Sequence, residues 1–170
     1  ERYVDLRHML QRRKDNPDQQ YRRVRRRQVL KWGRMEKKGG MDVWKLVNGT
    51  WELEKKRNYA KGGMRTWKEV WAVLYADGEL CCYDTGPRKT QGEVLPTCSP
   101  ISLLTLRSPT GENCSIDNGR QEEPDEFIVK LPGMPGKEDV RNCKTFRVKQ
   151  AADRDAWKAL IISEFGASGT

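Results

Sequence analysis

Hydrophobic residues follow two different periods along the chain. Over residues 1–15, Tyr3, Leu6 and Leu10 recur at helical spacing, which predicts a weakly amphipathic helix. Asp15-Asn16-Pro17-Asp18 breaks it, and residues 18–38, dense in Arg, Gln and Lys, are expected to form a second helix that Gly39-Gly40 stops. Residues 41–47 (MDVWKLV) fit either a helix or a strand. After the Asn48-Gly49 turn signal the period falls to two. TWELEKK (50–56) sets Trp51 and Leu53 against Glu52 and Glu54. TWKEVWAVLY (66–75) places Trp67, Trp71, Val73 and Tyr75 on alternating positions among β-branched and aromatic residues. A tight turn at 76–78 leads into ELCCYD (79–84), so these three segments are expected to form an antiparallel meander.

Further along, EVLPT (93–97) and ISLLTLR (101–107) are strand candidates, with Pro96 and Pro100 keeping the first short and near an edge. Residues 108–124 read as a long polar loop, and DEFIVKLP (125–132) and CKTFRVKQ (143–150) as two more strands. The chain closes on AADRDAWKALIISEF (151–165), where Ala156, Trp157, Leu160, Ile161 and Phe165 make an apolar helical stripe. Seven short strands followed by one amphipathic helix are therefore expected. With 170 residues, the chain has room for one domain and an extension. The expected division is a basic, mostly helical extension over 1–48, a domain over 49–165 and a tail over 166–170.

Charge sharpens that division. Residues 1–48 hold 15 Lys and Arg against 6 Asp and Glu, whereas residues 49–170 hold 18 of each. The whole net charge of +9 thus lies in the extension, which implies an anionic partner such as a membrane surface. Within the domain, residues 49–68 carry 6 basic against 2 acidic residues, so one end of it is basic. The 5 cysteines are odd in number and lack C-x-x-C spacing, which suits reduced thiols in the cytosol. The single histidine, His8, leaves no nucleophile–histidine constellation to assemble, and neither a phosphate-binding P-loop nor a metal-ligand cluster is present. An enzyme is not expected, and no cofactor is called for. The arginines of 21–31 lack an accompanying RNA-binding aromatic signature, so nucleic acid is not expected as a partner.

The strand order and three segments resemble the pleckstrin-homology (PH) family. TWELEKK followed by TWKEVWAVLY looks like that family's first hairpin; GELCCYD is similar to its third strand; and Trp157 in DRDAWKALI matches its helix tryptophan. The resemblance implies a mainly β fold, a seven-stranded bent antiparallel sheet capped by a C-terminal helix. It also implies a phosphate-binding site in the mouth of the first hairpin. By position Lys55 and Lys68 match the family's lysines, but Val70 stands in place of its arginine and Cys82 in place of a tyrosine. A bidentate guanidinium is therefore missing from the motif.

The lipid-binding residues implied are Lys55, Lys56, Arg57, Lys61, Arg65 and Lys68, with Arg22, Arg23, Arg25, Arg26 and Arg27 adding general membrane attraction. The function expected is that of a cytoplasmic, peripheral membrane module for signalling or trafficking that binds an anionic phospholipid, phosphatidic acid or a phosphoinositide. A smaller resemblance, to acylated apicomplexan PH proteins that sense phosphatidic acid, points to the simpler headgroup. The alternative is a protein-interaction module for a peptide or small GTPase.

Overall fold

The computed structural model describes residues 2–5, 10–13, 22–23, 27–40, 42–54, 67–90, 92–107, 112–118, 125–133, 136 and 140–166, with the backbone alone for 2–5, 10–13, 22–23, 53 and 90. Strands β1 (Arg2–Asp5), β2 (Leu10–Arg13) and β3 (Arg22–Arg23) form a small antiparallel sheet of their own. The main sheet has nine strands: β4 (Val29–Lys38), β5 (Asp42–Val47), β6 (Thr50–Leu53), β7 (Trp67–Tyr75), β8 (Glu79–Tyr83), β11 (Ser102–Thr105), β12 (Ser115–Asn118), β13 (Glu126–Lys130) and β14 (Val140–Arg147). Between β8 and β11, β9 (Arg88–Thr90) and β10 (Glu93–Leu95) make a separate hairpin. The helix α1 (Ala151–Phe165) follows β14.

Seven strands lie on the main path, in the order β11-β8-β7-β4-β14-β13-β12, every neighbouring pair antiparallel; β5 joins through β14, and β6 through β5. β11 and β12 end the path, so the sheet is not closed. This is a mainly β fold with one C-terminal helix.

The path's membership differs from the sequence reading. Residues 29–38 form its central strand and not the second half of a helix. Gly33 and Met35 turn toward the core and Trp32 toward Trp71, and neighbours on both sides take up the backbone groups, so tertiary pairing overrides local propensity. The main sheet therefore begins at residue 29, inside the expected extension. The first hairpin is also redrawn: Thr50–Leu53 pairs with β5, and the partner of β7 is β4. Residues 115–118, expected in a loop, form edge strand β12, held through partly buried Ile116.

β4 and β5 behave as one bent strand. Lys37 lies opposite Phe146 and Asp42 opposite Cys143, so five steps along β4–β5 match three along β14. The ladder is thus interrupted after Lys38, in a bulge where Gly40 adopts a φ of 72°, a conformation that glycine takes at little cost.

Around β7 and β8 the sheet is buried on both sides. Its inner face contributes Met35, Val70, Ala72, Leu74, Leu80, Cys82, Phe127, Val129 and Phe146 to the main core, closed by Trp157, Ile161 and Phe165 of α1. Each such large apolar side chain contributes roughly 1.5–3 kcal/mol on full burial. The outer face carries a second cluster of Val73, Tyr75, Cys81 and Tyr83, with Trp32 stacked on Trp71 at 5.6 Å between centroids. Burial on both faces explains the nearly continuous apolar run of residues 70–75. Of the two alternating sets on β7, it is Val70, Ala72 and Leu74, and not Trp67, Trp71, Val73 and Tyr75, that belong to the main core.

Candidate functional site

The inner face of β4 orders the two ends of the sheet. At its start Lys31 meets the helix, 3.8 Å from Asp153 and over the Trp157 ring at 5.3 Å. Gly33 and Met35 follow along the core. At the far end Lys37 reaches the edge of the core, about 20 Å from Lys31 by strand rise. The helix thus covers one end of the sheet, and lysines gather at the other.

Three adjacent strands supply those lysines. Lys37 lies directly opposite Lys68 of β7 on one side and Phe146 of β14 on the other. Lys68 has the same strand parity as Val70, and Lys144 the same as Phe146, so all three stem from the core-facing side. Lys144 is 5% exposed and its ammonium donates to the Gly40 carbonyl at the bulge. Burial pushes the nearby Cys82 thiol up to about 11, against the pull of the Lys37 and Lys144 charges. Lys68 pairs with Asp84 at 2.7 Å, both side chains about half exposed. Asp84 follows β8 with the parity of Cys82 and completes the ring.

The outer rim of this mouth is aromatic and basic. The Arg147 guanidinium lies over the Trp67 ring at 4.3 Å and pairs with Glu36 at 2.7 Å, while Lys38 approaches the same ring at 5.7 Å. Arg34 pairs with Glu69 one step further along. Three lysines and one carboxylate thus stem from the core-facing side at this end of the sheet, a net positive group of the kind that attracts a small anion such as a phosphate.

Of the residues expected from sequence to bind lipid, Lys68 stands in this mouth. Lys55, Lys56, Arg57, Lys61 and Arg65 lie outside the described residues, as do Arg25 and Arg26. Arg22 and Arg23 lie in β3. Arg27 sits at the opposite end of β4, roughly 30 Å from Lys37 by strand rise. There it grips the β7–β8 turn, with Asp77 at 2.7 Å and Glu79 at 2.5 Å, and lies 3.7 Å from the Tyr75 ring centroid. Burial opposes its charge, but the two carboxylates outweigh that and raise its pKa; Asp77 is held below the usual carboxylate range chiefly by its hydrogen bond from Arg27.

Lys37 and Lys144 escaped the sequence reading. In NCKTFRV (142–148) the lysine shares the parity of Phe146 and Val148, and a lysine on the apolar side of a strand was the available signal. For Lys37 the signal was hidden, because residues 29–38 read as helix.

A concavity of about 800 Å³ lies on the outer face between the Trp32–Tyr75–Tyr83 cluster and the β9–β10 hairpin, with Val94, Leu95 and Pro96 along one wall. The Tyr75 and Tyr83 hydroxyls are 3.1 Å apart within it. Among the described residues, no group of three or more His, Cys, Asp or Glu could hold a metal, and no helix is long and apolar enough to cross a membrane.

No protein-family model and no curated protein matches the chain. Solved structures similar to it include the DH/PH domains of p115-RhoGEF, at 14% identity over 83% of this chain and 31% of that one, with a TM-score of 0.43. The DH/PH domains of PDZ-RhoGEF, solved in complex with GTP-γ-S-activated RhoA, align at 13% identity over 81% of this chain and 29% of that one, with a TM-score of 0.44. The chain spans about a third of the length of these structures.

Proposed function

We propose that the chain is a non-enzymatic, peripheral membrane module that binds an anionic phospholipid headgroup, phosphatidic acid or a phosphoinositide, in the lysine mouth. One observation carries the reading: Lys37 directly faces Lys68 on the core side of the sheet, with Lys144 one strand away. Like charges in direct register oppose folding, and a bound phosphate offsets that repulsion. The polybasic segment before β4 adds attraction to any anionic surface. The module acts on the cytoplasmic side of a membrane. A preference for phosphatidic acid accords with the resemblance to acylated apicomplexan PH proteins.

The test is co-sedimentation with phosphatidylcholine vesicles containing phosphatidic acid, phosphatidylserine or an inositide, comparing the wild type with Lys37→Gln/Lys68→Gln. Weaker binding by the folded double variant is expected. Unchanged binding to every vesicle, with an unaltered circular dichroism spectrum, would overturn the mouth as the site.

A second reading, a protein-interaction module for a peptide or small GTPase, has the outer-face groove in its favour. Loss of partner binding on Tyr83→Ala, with vesicle binding intact, would support it.

A further inference from the structure

We infer that Asp84 sets the charge capacity of the mouth, restricting it to headgroups that present a single phosphomonoester and disfavouring polyphosphorylated ones; this rests on the proposed headgroup site. The ring holds three lysines, but they are not equally available. Lys144 is largely buried and donates to the Gly40 carbonyl. Lys68 is paired with Asp84 at 2.7 Å. Among the described residues, Lys37 has no ion-pair partner. A phosphomonoester, with a charge of about −1.5 to −2, is matched by Lys37 together with Lys68, which turns between the phosphate and Asp84.

A second phosphate has no equivalent place. Asp84 shares the inward parity of Cys82 and lies across β7 from Lys37, with Lys68 between them. An added phosphate on that side meets a carboxylate. On the β14 side it meets Lys144, whose ammonium already serves the bulge. Two lysines also impose little planar geometry, so they give selectivity for charge more than for shape. Asp84 thereby rejects a competitor by repulsion, as specific sites commonly do.

The experiment uses the full chain with Asp84→Asn, which keeps the shape and removes the charge. Binding is measured to phosphatidylcholine vesicles carrying phosphatidic acid, phosphatidylinositol bisphosphate or phosphatidylserine. The variant should bind the bisphosphate vesicles roughly 2- to 5-fold more tightly, the range an exposed ion pair spans, with a smaller gain on phosphatidic acid and phosphatidylserine. Measured against Lys68→Gln alone, Asp84→Asn/Lys68→Gln should still gain on the bisphosphate vesicles, because the carboxylate repels the added phosphate directly; loss of that gain would reduce Asp84 to a partner of Lys68 and overturn the inference. An equal gain on all three lipids would reduce Asp84 to a contributor of bulk charge and overturn the inference, as would no gain at all. The failures separate cleanly. If Lys37→Gln/Lys68→Gln loses lipid binding while Asp84→Asn changes nothing, the inference falls and the site stands. If the double lysine variant binds every vesicle as the wild type does, both fall.

Discussion

Lys37 and Lys68 face each other across the β4–β7 ladder, two like charges in direct register at the edge of the core. Relief of their repulsion has a measurable consequence. Lys37→Gln should stabilise the protein by about 0.2–1 kcal/mol in denaturant unfolding while weakening vesicle binding. Opposite movements of stability and affinity mark a residue kept for its ligand. A loss of stability would mark Lys37 as a packing residue.

Arg27 makes the contrasting case. Its guanidinium is matched by Asp77 and Glu79 at the end of the sheet away from the mouth. Arg27→Ala should cost about 1 kcal/mol and leave vesicle binding nearly unchanged at any salt concentration. Neutralising Arg22, Arg23, Arg25 and Arg26 should instead weaken binding to all anionic vesicles alike, most at low ionic strength. A large loss of binding from Arg27→Ala alone would place that arginine on the membrane.

The helix end offers a steric prediction. A Cβ at Gly166 would lie 2.6 Å from the Ile162 carbonyl oxygen and 2.8 Å from its Cα, and backbone atoms of the last helical turn cannot swing aside. Gly166→Ala should destabilise by about 1–3 kcal/mol, as overpacking does. Trp157→Ala, which empties a side chain only 1% exposed, should cost about 3–5 kcal/mol. Thermal and denaturant unfolding measure both; a wild-type melting temperature for Trp157→Ala would contradict its place in the core.

The cysteines give a pH prediction. Burial raises Cys82 and Cys114 to about 11 and Cys143 to about 12, from the ordinary 9.0. The folded state holds these protons more tightly than the unfolded chain. Their contribution is complete below about pH 9 and declines as pH rises through the folded values. Stability should therefore fall between about pH 9 and pH 11, a trend denaturant titrations at stepped pH detect. At neutral pH, a thiol-reactive disulfide reagent should label exposed Cys98 quickly and the four buried thiols only on unfolding. Rapid labelling of Cys82 would show that the core is open at the mouth.

How far the fold could be read from sequence depended on where each segment's energy comes from. The helix at 151–165 was legible because Trp157, Ile161 and Phe165 fall four residues apart on a single buried face. Strand β7 was legible as a strand, but its facing was not. Apolar residues occupy both parities from Val70 onward, so alternation gives no unique inner side. Strand β4 was hidden for a related reason. Its ends are charged on both faces, with Lys31 and Lys37 inward and Arg34, Glu36 and Lys38 outward, and charge density mimicked a solvated helix. Once β4 was misread, the hairpin partner of β7 passed to residues 50–56, and Lys37, which faces Lys68 across the ladder, went unnoticed.

The bent β4–β5 strand also governs when this protein can fold during synthesis. β4 needs β7, which follows within the same half of the chain, and β14, whose Arg147 pairs with Glu36 across a separation of 111 residues. Until β14 leaves the ribosome, one edge of β4 exposes unpaired backbone groups, an invitation to wrong strand pairing. The helix that covers the core comes later still. High contact order of this kind slows folding, and the charged ends of β4 are well suited to protect that waiting edge, since lysines on an open strand discourage association with other chains.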